Sequence, residues 1–244
     1  MTEALRVDGG ELPSITGVSA PPTRLLSAGR PVAQRLLRTW FDLEIHGADR
    51  VPVHGPVVMA ANHIGWIDGP LLAIFSPRPV HALTKLEMFE GAMGPFLVRA
   101  GQIPLDRSHV DLSAIRTALA TLRAGRAVGV FPEGTRGTGE LISTRAGAAY
   151  LGLVTGAPVV PVSFLGTRLP GGSSSSMPPR GSRLAITYGE PVRLEARPWP
   201  RTQAEVAEAS AVVTEAIRVT MRAAEDQTGM TLPGPLGPRR TKKK

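Results

Sequence analysis

The chain contains no cysteine in its 244 residues. That excludes a disulfide scaffold, Cys-ligated zinc, an iron–sulfur cluster and a Cys nucleophile, and it fits a reducing compartment. Aromatic residues make up only 5%, so the core must rest on Leu, Val, Ile and Ala. No apolar run reaches the roughly 18 residues of an ordinary transmembrane helix, so none is expected. The opening MTEALRVDGGELPS lacks a basic stretch followed by an apolar one, so no signal peptide is expected. Apolar residues nevertheless amount to 42%, enough for a packed core, and the length suits a single domain with short appendages.

Positive charge is unevenly placed. The net charge is +8; Arg239, Arg240 and Lys242–Lys244 contribute +5, and Arg24, Arg30, Arg35 and Arg38 contribute +4. The rest of the chain is therefore close to neutral. Basic appendages on a neutral body attract anionic lipid or nucleic acid, unless they are only solvated tails. The chain has neither zinc-finger spacing nor interleaved aromatic and basic residues, so no nucleic-acid partner is expected.

Residues 1–23 are rich in Gly, Pro and Ser and read as a flexible leader. Residues 31–41, PVAQRLLRTWF, read as an amphipathic helix with Pro31 at its first position. Ala33, Leu36, Leu37 and Trp40 form one face, and Gln34, Arg35, Arg38 and Thr39 point away. Such a helix suits a membrane interface or packing on the domain; periodicity does not separate the two.

Strand-like runs follow at 41–46, 57–61, 80–83, 127–131, 159–165 and 183–188. Helical runs fall near 67–75, 109–123, 144–155 and 203–225. This alternation predicts an α/β layered domain, with a central mixed, largely parallel sheet flanked by helices. Residues 171–181, GGSSSSMPPRG, read as a flexible loop. The expected divisions are a leader (1–23), the domain (24–228) and a disordered basic tail (229–244).

Four local patterns can carry chemistry. Asn62-His63-Ile64-Gly65-Trp66-Ile67-Asp68 follows the strand-like VVMAA. His63 and Asp68 do not share a helix face, but they meet if His63 lies in the strand-end turn and Asp68 opens the next helix. A carboxylate on one ring nitrogen would then fix the tautomer and raise the basicity of the other, making His63 a general base. The plainer reading is a turn histidine with Asp68 as a helix cap. Phe131-Pro132-Glu133-Gly134-Thr135-Arg136 ends another strand and could offer Arg136 and turn amides to a phosphate. The plainer reading is a turn with a surface ion pair. Gly101-Gln102-Ile103-Pro104-Leu105-Asp106-Arg107 supplies a second arginine. Val159-Val160-Pro161-Val162 reads as an edge strand or bulge able to line an acyl-chain pocket.

Taken in order, H-x4-D, G-x-I-x-x-x-R, F-P-E-G-T-R and the apolar V-P resemble the lysophospholipid acyltransferase family, in particular the bacterial 1-acyl-sn-glycerol-3-phosphate acyltransferases. The resemblance covers about residues 40–190. It implies His63 as general base supported by Asp68, and Arg107 and Arg136 on the substrate phosphate. It also implies Glu133, Gly134 and Thr135 shaping the acceptor site, Lys85 as a further basic contact and Pro161 near the acyl chain. The implied reaction moves an acyl group from acyl-CoA or acyl carrier protein to lysophosphatidic acid at the cytoplasmic face of the membrane. Many members of the family carry longer N-terminal membrane helices, and with only the short amphipathic segment here peripheral attachment is expected. No metal or cofactor is implied. Where the family commonly has Ser two residues after the histidine, this chain has Gly65. Glycerol 3-phosphate or another lysolipid is the rival acceptor, and a non-catalytic lipid-binding protein is the rival outside enzymes.

Overall fold

In the computed structural model, which describes residues 14–197 and 201–238, the alternating runs form one seven-stranded sheet. The strands are β1 (Asp42–His46), β2 (Val57–Ala61), β3 (Val80–Lys85), β4 (Ile103–Leu105), β5 (Ala127–Val130), β6 (Val159–Leu165) and β7 (Arg183–Tyr188). Their order is β1-β7-β6-β2-β5-β3-β4. Every neighbouring pair is parallel except β6 with β7. The α/β class and the mixed, mostly parallel sheet expected from the sequence are therefore present. β2, β5 and β6 are buried along their whole length, which is why they read as nearly continuous apolar runs rather than alternating ones.

The helices are α1 (Arg24–Trp40), α2 (Asp68–Phe75), α3 (Gly94–Arg99), α4 (Leu112–Arg123), α5 (Gly147–Thr155) and α6 (Gln203–Thr228). α4, α5 and α6 pack on one face of the sheet through Leu119, Leu122, Leu151, Val154, Val213 and Ile217. Leu71, Leu72 and Phe75 of α2 pack on the other face, against Met59, Val80 and Phe164, with Leu37 of α1 at the margin. Caps set the ends of the longer helices. Asp111 accepts from the Ala114 amide at 3.0 Å; Thr202 and Glu205 form a reciprocal box, and Gly229 closes α6 in the left-handed conformation.

The structure corrects several sequence expectations. α1 begins at Arg24, and Pro31 lies inside it. The turn before Pro31 is helical because Arg30 reaches the end of α2, donating to the carbonyls of Ile74 and Ser76. Gln34, expected to point away, donates to Ile74 O at 2.7 Å. Leu36 and Trp40, read with Ala33 and Leu37 as one apolar face, are 63% and 51% exposed, whereas Leu37 packs against the core. With Leu25 and Val32 they form an outward apolar stripe. The leader is not loose throughout: Ile15 packs on the core and Pro21 O accepts from Arg126; residues 1–13 lie outside the described part.

The tail, too, is ordered as far as Pro238. Leu232 packs on the core, and Gly237 N–H donates to Gly172 O at 3.0 Å. The basic run 239–244 lies outside the described residues. The 171–181 loop is pinned through Gly172, Ser174 and Gly181. β4 and α3 escaped the sequence reading because three and six residues are too few for a period to show.

Candidate active site

β2, β5, β3 and β4 run parallel, so the segments leaving their carboxyl ends gather at one rim. Asn62 extends β2 by one residue with its side chain. It donates to Phe164 O at 3.1 Å and accepts from Phe164 N–H at 2.7 Å. The chain then turns through residues 63–67, and Asp68 opens α2.

Asp68 is wholly buried. Its Oδ2 accepts from Nδ1 of His63 and from the amides of Ile64 and Gly65, each at 2.8 Å. A carboxylate can only accept, so Nδ1 carries the proton and Nε2 has the lone pair. Placement in the first helical turn also favours the negative charge of Asp68. Phe131 stacks on the imidazole with 4.2 Å between ring centroids. Among the described residues Nε2 has no hydrogen-bond partner, and the side chain is 17% exposed.

The Phe131–Arg136 segment wraps this turn. Glu133 Oε1 accepts from His63 N–H at 2.7 Å, and Gly137 N–H returns a bond to His63 O at 2.9 Å. Burial pushes the Glu133 carboxyl up to about 7, and the charge of Asp68 adds to this; the His63 amide opposes it. Arg107, two residues past β4, donates to Gly134 O. Arg136 donates to Ser174 O at 2.6 Å, and burial lowers its pKa from the usual arginine value. Each guanidinium keeps further N–H groups that these bonds do not use. Thr135 is exposed on the same loop.

His63, Asp68, Arg107, Glu133, Gly134, Thr135 and Arg136 thus belong to one rim. Lys85 ends β3 alongside Leu105, and its ammonium is paired with Glu87 at 2.7 Å. Pro161 sits in β6, an interior strand rather than an edge, opposite Ala60 of β2 and buried beside Gly189. Its missing N–H is tolerated because β7 has ended there; only Pro161 O is used, by Gly189 N–H at 2.9 Å. Among the described residues no group of His, Asp and Glu is arranged to hold a metal.

Three contributors were not picked from sequence. Asn62 was visible only as the first letter of its motif. Arg145 donates to Arg107 O at 3.2 Å, and its Nε would lie 3.0 Å from a Cβ at Gly134. Arg168 donates to Ile64 O at 3.0 Å. No local pattern marks the last two, since their partners lie far away in sequence. The absence of Ser at position 65 has a steric cause. A Cβ on Gly65 would collide with the Thr167 carbonyl and lie 2.8 Å from Thr167 Oγ1.

A family model described as Acyltransferase matches residues 42–165. The 1-acyl-sn-glycerol-3-phosphate acyltransferase of Bacillus subtilis is 30% identical over 152 residues, which are 62% of this chain and 73% of that protein. The lyso-ornithine lipid O-acyltransferase of Pseudomonas aeruginosa is 32% identical over 144 residues, 55% of each chain. The crystal structure of the 1-acyl-sn-glycerophosphate acyltransferase PlsC from Thermotoga maritima superposes with a TM-score of 0.60, at 24% identity, over 80% of this chain and 79% of that one. The last shows a shared fold.

Proposed function

The chain belongs to the acyltransferase family, and from that premise we propose that it transfers a fatty acyl group from acyl-CoA or acyl carrier protein to the 2-hydroxyl of 1-acyl-glycerol 3-phosphate. The product is phosphatidic acid, which makes this a step of phospholipid biosynthesis. The observation that carries the reading is the His63–Asp68 pair at 2.8 Å, on the rim that also carries Arg107 and Arg136.

Asp68 holds the proton on Nδ1, so Nε2 can take the proton of the acceptor hydroxyl. The hydroxyl oxygen attacks the thioester carbonyl, and the C–S bond breaks as the tetrahedral intermediate collapses. The thiolate leaves and recovers the proton from Nε2. No enzyme nucleophile is needed, consistent with a chain that has no cysteine. A positioned base supplies about 10² to 10⁴ in rate, and the remainder comes from positioning. Arg107 and Arg136 have free N–H groups suited to the acceptor phosphate, and Glu133, Gly134 and Thr135 shape the loop that presents them. Lys85 stands at the same rim as a further basic contact, its ammonium paired with Glu87.

A second reading concerns the acceptor alone. A relative named for a lyso-ornithine lipid supports another lysolipid as the rival acceptor, with glycerol 3-phosphate tested beside it.

Peripheral attachment to the cytoplasmic face of the membrane belongs to the same proposal. No helix among the described residues is long and apolar enough to cross a bilayer. The outward stripe Leu25, Val32, Leu36 and Trp40 on α1, beside Arg24 and Arg35, has the character of an interfacial helix meeting anionic lipid.

The test is thiol release. Purified protein receives oleoyl-CoA with lysophosphatidic acid, other lysolipids or glycerol 3-phosphate, and freed CoA is detected with a thiol reagent. Release dependent on lysophosphatidic acid and lost in His63→Ala is expected. Release with every acceptor except lysophosphatidic acid overturns the acceptor assignment. Silence with both CoA and carrier-protein donors overturns the catalytic reading.

A further inference from the structure

Arg168 follows β6, outside the segment matched by the family model. It is 1% exposed, among the most buried side chains of the molecule. An arginine has five N–H donors, and here all five are used. Nε donates to Ile64 O at 3.0 Å. One terminal nitrogen donates to Gly137 O at 3.0 Å and Gly234 O at 2.6 Å. The other donates to Gly172 O at 3.1 Å and Pro235 O at 3.2 Å. Every acceptor is a main-chain carbonyl, and they come from four separate segments. Two of those segments are the His63 turn and the loop that carries Glu133 and Arg136.

A buried cation with no carboxylate in contact among the described residues is costly to maintain, and the nearby charge of Asp68 offsets only part of that cost. The rigid planar fork of a guanidinium offers something in return that a methylene chain cannot, a fixed spacing between the carbonyls it holds. The surroundings are equally tight. Gly65 has no room for a Cβ beneath Thr167. The C-terminal segment closes the arrangement from behind: a Cβ on Gly139 would lie against the Ile64 side chain and 3.1 Å from Leu232. Leu232 N–H is held by Glu225 at 3.3 Å.

We propose that Arg168, latched by the segment Leu232–Gly237, is a positioning residue that sets the His63 turn against the 133–137 loop. The C-terminal segment is then a working part of the site rather than an appendage. This rests on the reading of His63 as the base. A misplacement of about 1 Å at a reacting group costs on the order of 10²-fold in rate.

The experiment uses two full-length variants. Arg168→Gln removes the fork, and Leu232→Asp releases the latch; Leu232→Met, of similar volume and polarity, serves as the conservative control. Steady-state kinetics with oleoyl-CoA and lysophosphatidic acid are combined with hydrogen–deuterium exchange on the substrate-free protein. The expected result is a fall in kcat of about 10- to 100-fold in the first two variants, both KM values staying within about threefold. Exchange should quicken in residues 63–69 and 133–139 while β5 and β6 stay protected, and Leu232→Met should match the parent protein. Unchanged kcat in Leu232→Asp overturns the proposal. So does faster exchange spread evenly over β5 and β6, which marks general destabilisation. If Arg168→Gln fails to fold, Leu232→Asp carries the test. If the parent protein cleaves no thioester, the catalytic reading fails, and exchange confined to the two loops still decides the positioning role.

Discussion

The main-chain N–H of His63 donates to the Glu133 carboxylate at 2.7 Å across 70 residues of sequence. The two motifs are therefore one hydrogen-bonded unit, and Glu133 is tied to the backbone of the base before any substrate arrives. Burial raises the Glu133 carboxyl from 4.5 to about 7. The folded protein accordingly keeps a proton on Glu133 that the unfolded chain releases between those values. Stability from this group is lost as pH rises through that window. Glu133→Gln keeps an acceptor for the His63 amide and cannot ionise. Its melting temperature relative to the parent should rise between pH 4.5 and pH 8. A constant difference across that range would show that Glu133 does not titrate there.

Asp68→Asn should abolish most turnover and leave the fold. The Asn oxygen in the place of Oδ2 can still accept from His63 Nδ1 and from the amides of Ile64 and Gly65, but it carries no negative charge to stabilise the imidazolium that forms when Nε2 takes the proton. The expected loss is on the order of 10² to 10⁴ in kcat, with an unchanged circular dichroism spectrum. Turnover near that of the parent would remove Asp68 from the catalytic pair.

Arg136→Ala should raise KM for lysophosphatidic acid by about tenfold or more, in keeping with loss of a charge-assisted contact, and leave KM for the acyl donor nearly unchanged. Lys85→Ala should do less, because the Lys85 ammonium is already paired with Glu87. Equal effects of Arg136→Ala on donor and acceptor would assign that arginine to something other than the acceptor phosphate.

Gly65→Ser should destabilise the protein, since its Cβ has nowhere to go beneath Thr167. A loss of about 1–3 kcal/mol is expected for such overpacking, read from urea denaturation. Gly69→Ala is the control: nothing lies within 4 Å of a Cβ there, and Ala is the better helix former by up to about 1 kcal/mol. Equal stabilities for the two variants would contradict the steric account of position 65.

The two sides of α1 should separate. Leu36→Ser with Trp40→Ser changes exposed positions; it should weaken sedimentation with anionic vesicles and leave the melting temperature within about a degree, as surface changes do. Gln34→Ala removes a donor to Ile74 and should lower the melting temperature without altering vesicle binding. Vesicle binding indifferent to the double serine variant would assign α1 to packing alone.

Much of this molecule is a local property of its chain. β2, β6 and β7 have the bounds that their largely apolar runs indicated, because a strand buried on both faces is marked by a short, mostly apolar run. The H-x4-D and F-P-E-G-T-R motifs were legible because each follows such a strand directly, and the carboxyl end of a parallel strand is where side chains are free to meet a ligand. The class of the domain and the family follow from these features. Other matters were decided by contacts that no local pattern encodes. Periodicity could say that α1 is amphipathic but not which side docks; Arg30 and Gln34 chose it by reaching carbonyls left open at the end of α2. Pro161 looked like an edge because proline lacks a donor, whereas β7 stops one residue short of needing it. Arg168 is one of 24 arginines until the chain closes, since its five acceptors lie 4 to 104 residues away. Local sequence determines where strands, helices and motifs fall because those depend on neighbours along the chain. Only tertiary structure decides which face packs, and which buried donor holds which carbonyl, because those partners become neighbours through folding.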